Sequence, residues 1–315
     1  MIKIPVKVEK AVKSECKFIE WKIHNVCNLN CSFCGLENKD GSQRWSSLAS
    51  YKEYTDKIVD SCNGIPFWIQ ITGGEPTLFP ELIELIKYIK QKGGYTSLIS
   101  NGSRTLRWWQ ELKESMSLDQ LYITYHSEQT NDYQHVANVL NIFHNEPTET
   151  ICLITHIVLS IDLAFEAGHF MQENTGATTI IKGMSTPDIY KDYSTEQLIT
   201  LKKSNSLFGN LKKYKRKNNV PVKHMIDSAL LITYDDGSTK IENPQTLMKN
   251  QENYFLGWKC DTGRNFMRVD SMDKIYRGVC GEGGSSTEIK FTEDYMICNR
   301  NKCFCTTDLI STKMK

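Results

Sequence analysis

The sequence has no apolar run long enough to cross a bilayer, and its first residues, MIKIPVKVEKAVKSECKF, alternate charged and apolar side chains without the apolar core of a signal peptide. Apart from a short basic stretch at 212–217, no Lys/Arg block stands out. The 38 basic and 37 acidic residues leave a net charge of +1, which points to neither a nucleic acid nor a membrane as partner. A cytoplasmic location is therefore expected, where thiols stay reduced and disulfides are rare. What the chain does have is cysteine, 11 among 315 residues. In a reducing compartment these read as metal ligands, catalytic groups or small buried hydrophobes. At 40% apolar content the chain can bury the core of one large domain or one and a half.

The cysteines are unevenly placed. Cys27, Cys31 and Cys34 fall in HNVCNLNCSFCGLEN, from His24 to Asn38, and Cys260, Cys280, Cys298, Cys303 and Cys305 lie near the end. Cys16, Cys62 and Cys152 are scattered and are expected to be buried as small hydrophobes.

Between the two groups, β-rich runs alternate with helical patterns. The runs are FIEWKI (18–23), FWIQIT (67–72), YTSLIS (95–100), LYITYH (121–126), ICLITHIVLS (151–160) and ATTIIKG (177–183). The clearest helix follows the second run, with Leu82, Leu85, Ile86 and Ile89 on one face, Pro80 near its start and Gly93-Gly94 after its end. Six such units imply a parallel sheet that right-handed crossovers curl into a barrel. The expected fold is α/β, a partial (β/α)6 TIM-like barrel, with a small C-terminal cysteine-rich β-hairpin domain. Chemistry in such folds sits at the C-terminal ends of the strands. The first three cysteines follow the first strand directly and so belong to that mouth. His24, His126 and His156 lie in or at the ends of β runs and are candidates for it as well, although a lone His near a strand more often has a structural role.

Beyond about Asn205 the pattern changes. KKYKRKNNVPVKH (212–224) reads as a linker or exposed loop, with a phosphate-contacting surface as the alternative. LLITYDDGSTKIE (230–242) and FMRVDSMDKIYRG (266–278) each read as a hairpin, the first turning at Asp236-Gly237. Cys260 and Cys280 flank the second, so strand pairing would bring them together.

Three thiols on one loop suit a particular chemistry. A structural zinc site takes four ligands, so zinc here would need His24 or a distant cysteine. A 4Fe-4S cube takes one ligand per iron, and three thiolates leave one iron open to bind something else. The stretch Cys27-Asn-Leu-Asn-Cys31-Ser-Phe-Cys34, with Phe33 before the last cysteine, resembles the signature of the radical S-adenosylmethionine (radical SAM) superfamily. Gly73-Gly74-Glu75-Pro76, after the second run, resembles the segment that binds the methionyl amine in that superfamily. Ser100-Asn101, at the end of the third, is similar to its ribose-contacting strand end. The resemblance implies a SAM-binding 4Fe-4S cluster on Cys27, Cys31 and Cys34. It also implies reductive cleavage of S-adenosylmethionine to a 5'-deoxyadenosyl radical, and abstraction of hydrogen from a C–H bond. The cofactor carries the hard chemistry, and the protein places the target carbon and keeps out water.

The C-terminal group resembles the auxiliary-cluster extensions known as SPASM and twitch domains. Five cysteines are fewer than a two-cluster SPASM domain uses, so a twitch-like arrangement with a second 4Fe-4S cluster is expected. Its ligands would be Cys260 and Cys280 plus two of Cys298, Cys303 and Cys305, with zinc as the competing reading. The expected division is 1–17 as an N-terminal extension, 18–205 as the radical SAM core, and 206–315 as linker plus auxiliary domain. The expected activity is oxidation of a small molecule or peptide, with a flavodoxin- or ferredoxin-like electron donor. The stretch before Phe18 is too short for a leader-binding domain, which favours the small molecule. An iron-sulfur carrier without radical chemistry, and a tRNA-modifying enzyme suggested by 212–217, are the alternatives. The near-neutral charge argues against the latter.

Overall fold

The computed structural model describes residues 3–11, 16–129, 132–144, 151–158, 161–175, 177–183, 194–197, 199–200, 229–242, 244–249, 251–270, 274–303 and 305–315. The basic stretch 212–224 lies outside them, as do the side chains of Cys152 and His156. The chain packs as two units. One comprises Trp21–Tyr54 and Ile69–Asn218, and the other Met1–Glu20, Thr55–Trp68 and Asn219–Lys315.

The first unit carries most of the alternating pattern, residues 17–20, 55–61 and 67–68 of it being counted with the other unit. Strands β2 (Lys17–Lys22), β3 (Phe67–Thr72), β4 (Tyr95–Ser100), β5 (Gln120–Tyr125), β6 (Ile151–Val158) and β7 (Thr178–Gly183) follow one another in that spatial order. Each expected run forms a strand whose start lies within one residue of expectation. β4 to β7 pair in parallel, with Leu98 opposite Leu121 and Leu121 opposite Cys152. Helices α1 (Leu48–Ser61), α2 (Leu82–Gln91), α3 (Leu106–Glu114), α4 (Tyr133–His144) and α5 (Ile161–Asn174) occupy the five connections, giving a partial β/α barrel. β3 is buried from Phe67 to Ile71, as a strand covered on both faces must be.

The helices form for local reasons. α2 buries Leu82, Leu85, Ile86 and Ile89 completely. It ends where Gly93 turns to φ +82°, its amide donating to the Lys90 carbonyl at 2.9 Å. Lys90 pairs with the buried Asp119 at 2.8 Å, and that carboxylate also accepts the Thr96 amide at 2.7 Å. The end of α2 is thus tied to the starts of β4 and β5. α3 is capped by Thr105, whose hydroxyl accepts the Trp108 amide.

The second unit contains β1 (Pro5–Lys10), β8 (Leu230–Tyr234), β9 (Thr239–Glu242), β10 (Lys259–Cys260), β14 (Met296–Ile297) and β15 (Lys313–Met314), ordered β14-β10-β15-β1-β8-β9. It also holds a short ribbon of β11 (Phe266–Val269), β12 (Ile275–Tyr276) and β13 (Ser285–Ser286). Both expected hairpins form, the first turning at Gly237 with φ +79°. Helices α6 (Pro244–Lys249) and α7 (Thr306–Leu309) complete the unit. Its core gathers Val8, Leu230, Ile232, Leu247, Phe255, Cys303, Leu309 and Ile310.

Two expectations change. The stretch 1–17 is not a bare extension, because β1 lies between β15 and β8, so packing does not follow the linear division at 17 and 205. Cys62 is buried as expected, but Cys16 is only half-buried, its thiol donating to the Lys17 carbonyl. No described helix is long and apolar enough to cross a membrane.

Candidate functional site

The three-cysteine loop leaves the end of β2 and is held at its root by Asn25, which is fully buried. The Asn25 amide nitrogen donates to Asp40 at 2.6 Å and Ser42 at 3.0 Å, and its oxygen accepts the Gln43 amide at 2.8 Å. One side chain thereby closes the loop that contains all three thiols.

Neighbouring strand ends grip the loop from two sides. After β4, Asn101 donates to Asn28 at 2.9 Å, and Asn28 donates to Ser103 at 2.9 Å. After β5, Glu128 accepts the Ser32 amide at 2.7 Å and Gln129 accepts the Asn30 amide at 3.2 Å. The ends of β2, β4 and β5 thus converge on the cysteines, at the C-terminal edge where such folds place their chemistry.

The thiols influence one another. Burial pushes the Cys31 thiol up to about 12, with Glu128, Cys27 and Cys34 adding to the rise. Cys27 and Cys34 are also raised, burial being the largest cause. Lys39, whose ammonium donates to the Cys31 carbonyl, opposes the rise at all three. Unmetallated, the thiols hold their protons, so loading must release them. Among the described residues, no three His, Cys, Asp or Glu side chains converge on a single ion. A cube, which takes each thiolate on a separate iron, suits three spaced thiols on one loop better than one zinc ion does.

The Gly73-Gly74-Glu75 segment joins this loop by its backbone. The Gly74 amide donates to the His24 carbonyl at 2.9 Å and the Glu75 amide to the Val26 carbonyl at 2.8 Å. A Cβ on Gly73 would overlap the His24 oxygen, and one on Gly74 the Val26 oxygen. Gly73 also sits at φ +147°. The close approach that requires glycine is therefore to the root of the cysteine loop.

The Glu75 side chain is spent inside the protein. It is 1% exposed and accepts from the Thr77 amide (3.1 Å), the Thr77 hydroxyl (2.6 Å), the Ser100 hydroxyl (2.8 Å) and the Asn101 amide (2.7 Å). It fastens the end of β3 to the end of β4. Pro76 opens the short turn after Glu75 and is buried.

Phe33 stacks on His126, ring centres 5.5 Å apart and planes 18° from parallel. Burial lowers His126 to about 4, so both rings are neutral at pH 7. His24 is fully buried under Trp45, and its Nδ1 accepts the Val26 amide, which requires the neutral ring. Burial lowers His24 to about 4 as well. An unfolded chain protonates His24 near pH 6.5, so its contribution is complete above that pH and is lost as pH falls toward 4. The expected loss is about 3 kcal/mol across the window. Urea midpoints of the metal-free chain at pH 7 and pH 5 should show about 2 kcal/mol of it, and His24→Asn, which keeps an acceptor for the Val26 amide, should flatten the slope.

In the second unit, Cys260, Cys280, Cys298 and Cys303 line one small cavity together with Thr262, Glu282, Met296, Arg300, Asp308 and Lys313. Cys305, at the start of α7, is not among the lining residues. Asp308 accepts the Val279 and Cys280 amides at 2.9 and 2.6 Å.

Asn25, Asn28, Lys39, Glu128 and Gln129 were not evident from the sequence. Each is a single polar residue with no spacing rule, and only its position just after a strand end could have drawn notice.

The first site lies in a part of the chain that resembles known proteins. Residues 21–151 match the Radical SAM superfamily. A "probable GTP 3',8-cyclase" of Sulfurisphaera tokodaii is 36% identical over 121 residues, covering 36% of this chain and 36% of that protein. The antilisterial bacteriocin subtilosin biosynthesis protein AlbA of Bacillus subtilis is 31% identical over 77 residues, covering 24% of this chain and 16% of that one. The matches thus span about a third or less of these relatives. Streptococcus suis SuiB bound to S-adenosylmethionine has a similar fold, with a TM-score of 0.54 at 14% identity over 87% of this chain and 63% of SuiB. The cysteine loop, the glycine segment and the strand ends that grip them all lie within residues 21–151, the part of the chain that matches the Radical SAM superfamily.

Proposed function

We propose that the chain cleaves S-adenosylmethionine reductively at a 4Fe-4S cluster on Cys27, Cys31 and Cys34 and uses the radical to oxidise a substrate at carbon. The observation that carries this reading is the three-thiol loop, closed by Asn25 and gripped from β4 and β5, inside the matched domain. When bound, the cluster supplies one electron that breaks the sulfonium C–S bond, releasing methionine and a 5'-deoxyadenosyl radical that takes a hydrogen atom from the substrate.

The protein's own groups position and exclude. The backbone of Gly73, Gly74 and Pro76 forms the rim for the methionyl end, Ser100 and Asn101 the rim for the ribose, and Phe33 with His126 an aromatic wall that keeps water out. Glu75 holds these segments in place. Lys39 offsets part of the thiolate charge.

The C-terminal cavity supports a second 4Fe-4S cluster on Cys260, Cys280, Cys298 and Cys303, because four thiols stand around one space. Held there, such a cluster would supply a one-electron acceptor for oxidation of the substrate, the proton leaving to solvent. A flavodoxin- or ferredoxin-like protein supplies the reducing electron, and a cytoplasmic setting keeps the thiols available. The substrate is a small molecule. A second reading, maturation of a ribosomally made peptide, is favoured by the aligned segment of the subtilosin biosynthesis protein.

The test is anaerobic incubation of the iron-loaded chain with dithionite and S-adenosylmethionine. Formation of 5'-deoxyadenosine and methionine is expected. Iron-loaded protein that yields neither would be an electron carrier or binding module.

A further inference from the structure

Lys313 is 1% exposed, lies on β15 directly opposite Cys260 of β10, and lines the four-thiol cavity. The three hydrogen bonds its ammonium donates all end on main-chain carbonyls, those of Asp308, Leu309 and Ser311. One face rests on the Phe255 ring, 5.2 Å from its centre. Carbonyl and ring dipoles orient a cation but do not neutralise it, and an ammonium buried without an opposite charge is strongly disfavoured.

Of the charged groups near it, the Asp308 and Asp261 carboxylates act on the Lys313 charge, as do the thiols of Cys303 and Cys260. Arg300 pairs with Glu282 at 2.9 Å. The Asp308 carboxylate faces the amides of Val279 and Cys280. Besides these carboxylates, Lys313 faces the cavity and its thiols, Cys260 lying directly opposite on the paired strand. Four thiolates around a metal core would fill the cavity with net negative charge.

We propose that Lys313 is the counter-cation of an anionic metal–thiolate centre held by Cys260, Cys280, Cys298 and Cys303, and that its charge raises the reduction potential of that centre. This rests on the auxiliary-cluster reading above and adds a positioning residue to it. A fixed positive charge beside a cluster favours the more negative, reduced form.

The experiment uses the full chain carrying Cys27→Ala, Cys31→Ala and Cys34→Ala, reconstituted with iron and sulfide, so that only the C-terminal centre contributes. Iron content and a spectroscopic redox titration are measured for this parent, for Lys313→Met and for Lys313→Arg. Lys313→Met should keep its iron but show a lower potential. At the parent's midpoint its ratio of reduced to oxidised centre should fall about tenfold, equivalent to about 59 mV for one electron. Lys313→Arg should stay near the parent. Iron lost in Lys313→Met but kept in Lys313→Arg would support the same charge role at the level of assembly. Equal potentials in Lys313→Met and the parent would overturn the proposal, as would iron lost from both variants, which marks a packing role for the amine. A parent that binds no iron would overturn the auxiliary-cluster reading itself, and with it this role.

Discussion

The Cys27→Ala, Cys31→Ala, Cys34→Ala variant is expected to hold about four irons where the unaltered chain holds about eight, and to form no 5'-deoxyadenosine. The count follows from one thiolate per iron and two separate groups of thiols. The variant should still fold, because the contacts that close and grip the loop use Asn25, Asn28, Ser32 and Asn30 and none of the thiols. The reciprocal replacement of Cys260, Cys280, Cys298 and Cys303 should remove the other four irons. Cys305→Ala should change neither count, since Cys305 does not line the cavity. Iron, labile sulfide and zinc measured together decide the matter. Four irons falling to none, with zinc on the C-terminal cysteines, would leave radical chemistry intact and remove the redox role of the second centre.

Glu75→Ala should be the most damaging single substitution near the first site. It would strip partners from two main-chain amides and two hydroxyls in a region closed to solvent. Each buried donor left unpaired costs about 1–3 kcal/mol, and water entering the space recovers part. A net loss of about 3 kcal/mol is expected, which lowers the melting temperature by about 5 °C in a chain of this size. Glu75→Gln keeps the shape but turns an amide group toward these donors, so an intermediate loss is expected. Affinity for S-adenosylmethionine should fall in step with stability, because Glu75 holds Ser100 and Asn101 in place. A Glu75→Ala protein that melts normally yet fails to bind S-adenosylmethionine would make Glu75 a ligand in its own right.

The legible parts of the molecule were those with local causes. FWIQIT and YTSLIS announce strands by composition, and α2 shows its face through Leu82, Leu85, Ile86 and Ile89. The cysteine spacing and the Gly73-Gly74-Glu75 segment could be read for the same reason. β1 could not, because PVKVEK is half-exposed and pairs with residues more than 200 positions away. Strands of two residues, such as β10 and β15, are too short to carry any periodicity. The grips of Asn25 and Glu128 on the cysteine loop were equally hidden, since nothing in the sequence says which amide a lone polar residue will meet.

The position of β15 also sets an order of events during synthesis. β1 is among the first segments made, and the strand that joins it to the Cys260 strand comes some 300 residues later. At roughly 5–20 residues per second, β1 waits about 15–60 s for that neighbour. Over the same interval the loop of Cys27, Cys31 and Cys34 and the strands through β7 have already left the ribosome. The first centre can therefore be supplied with iron and sulfide while the chain is still growing, whereas the cavity around Cys260 and Lys313 closes only when translation has passed residue 314.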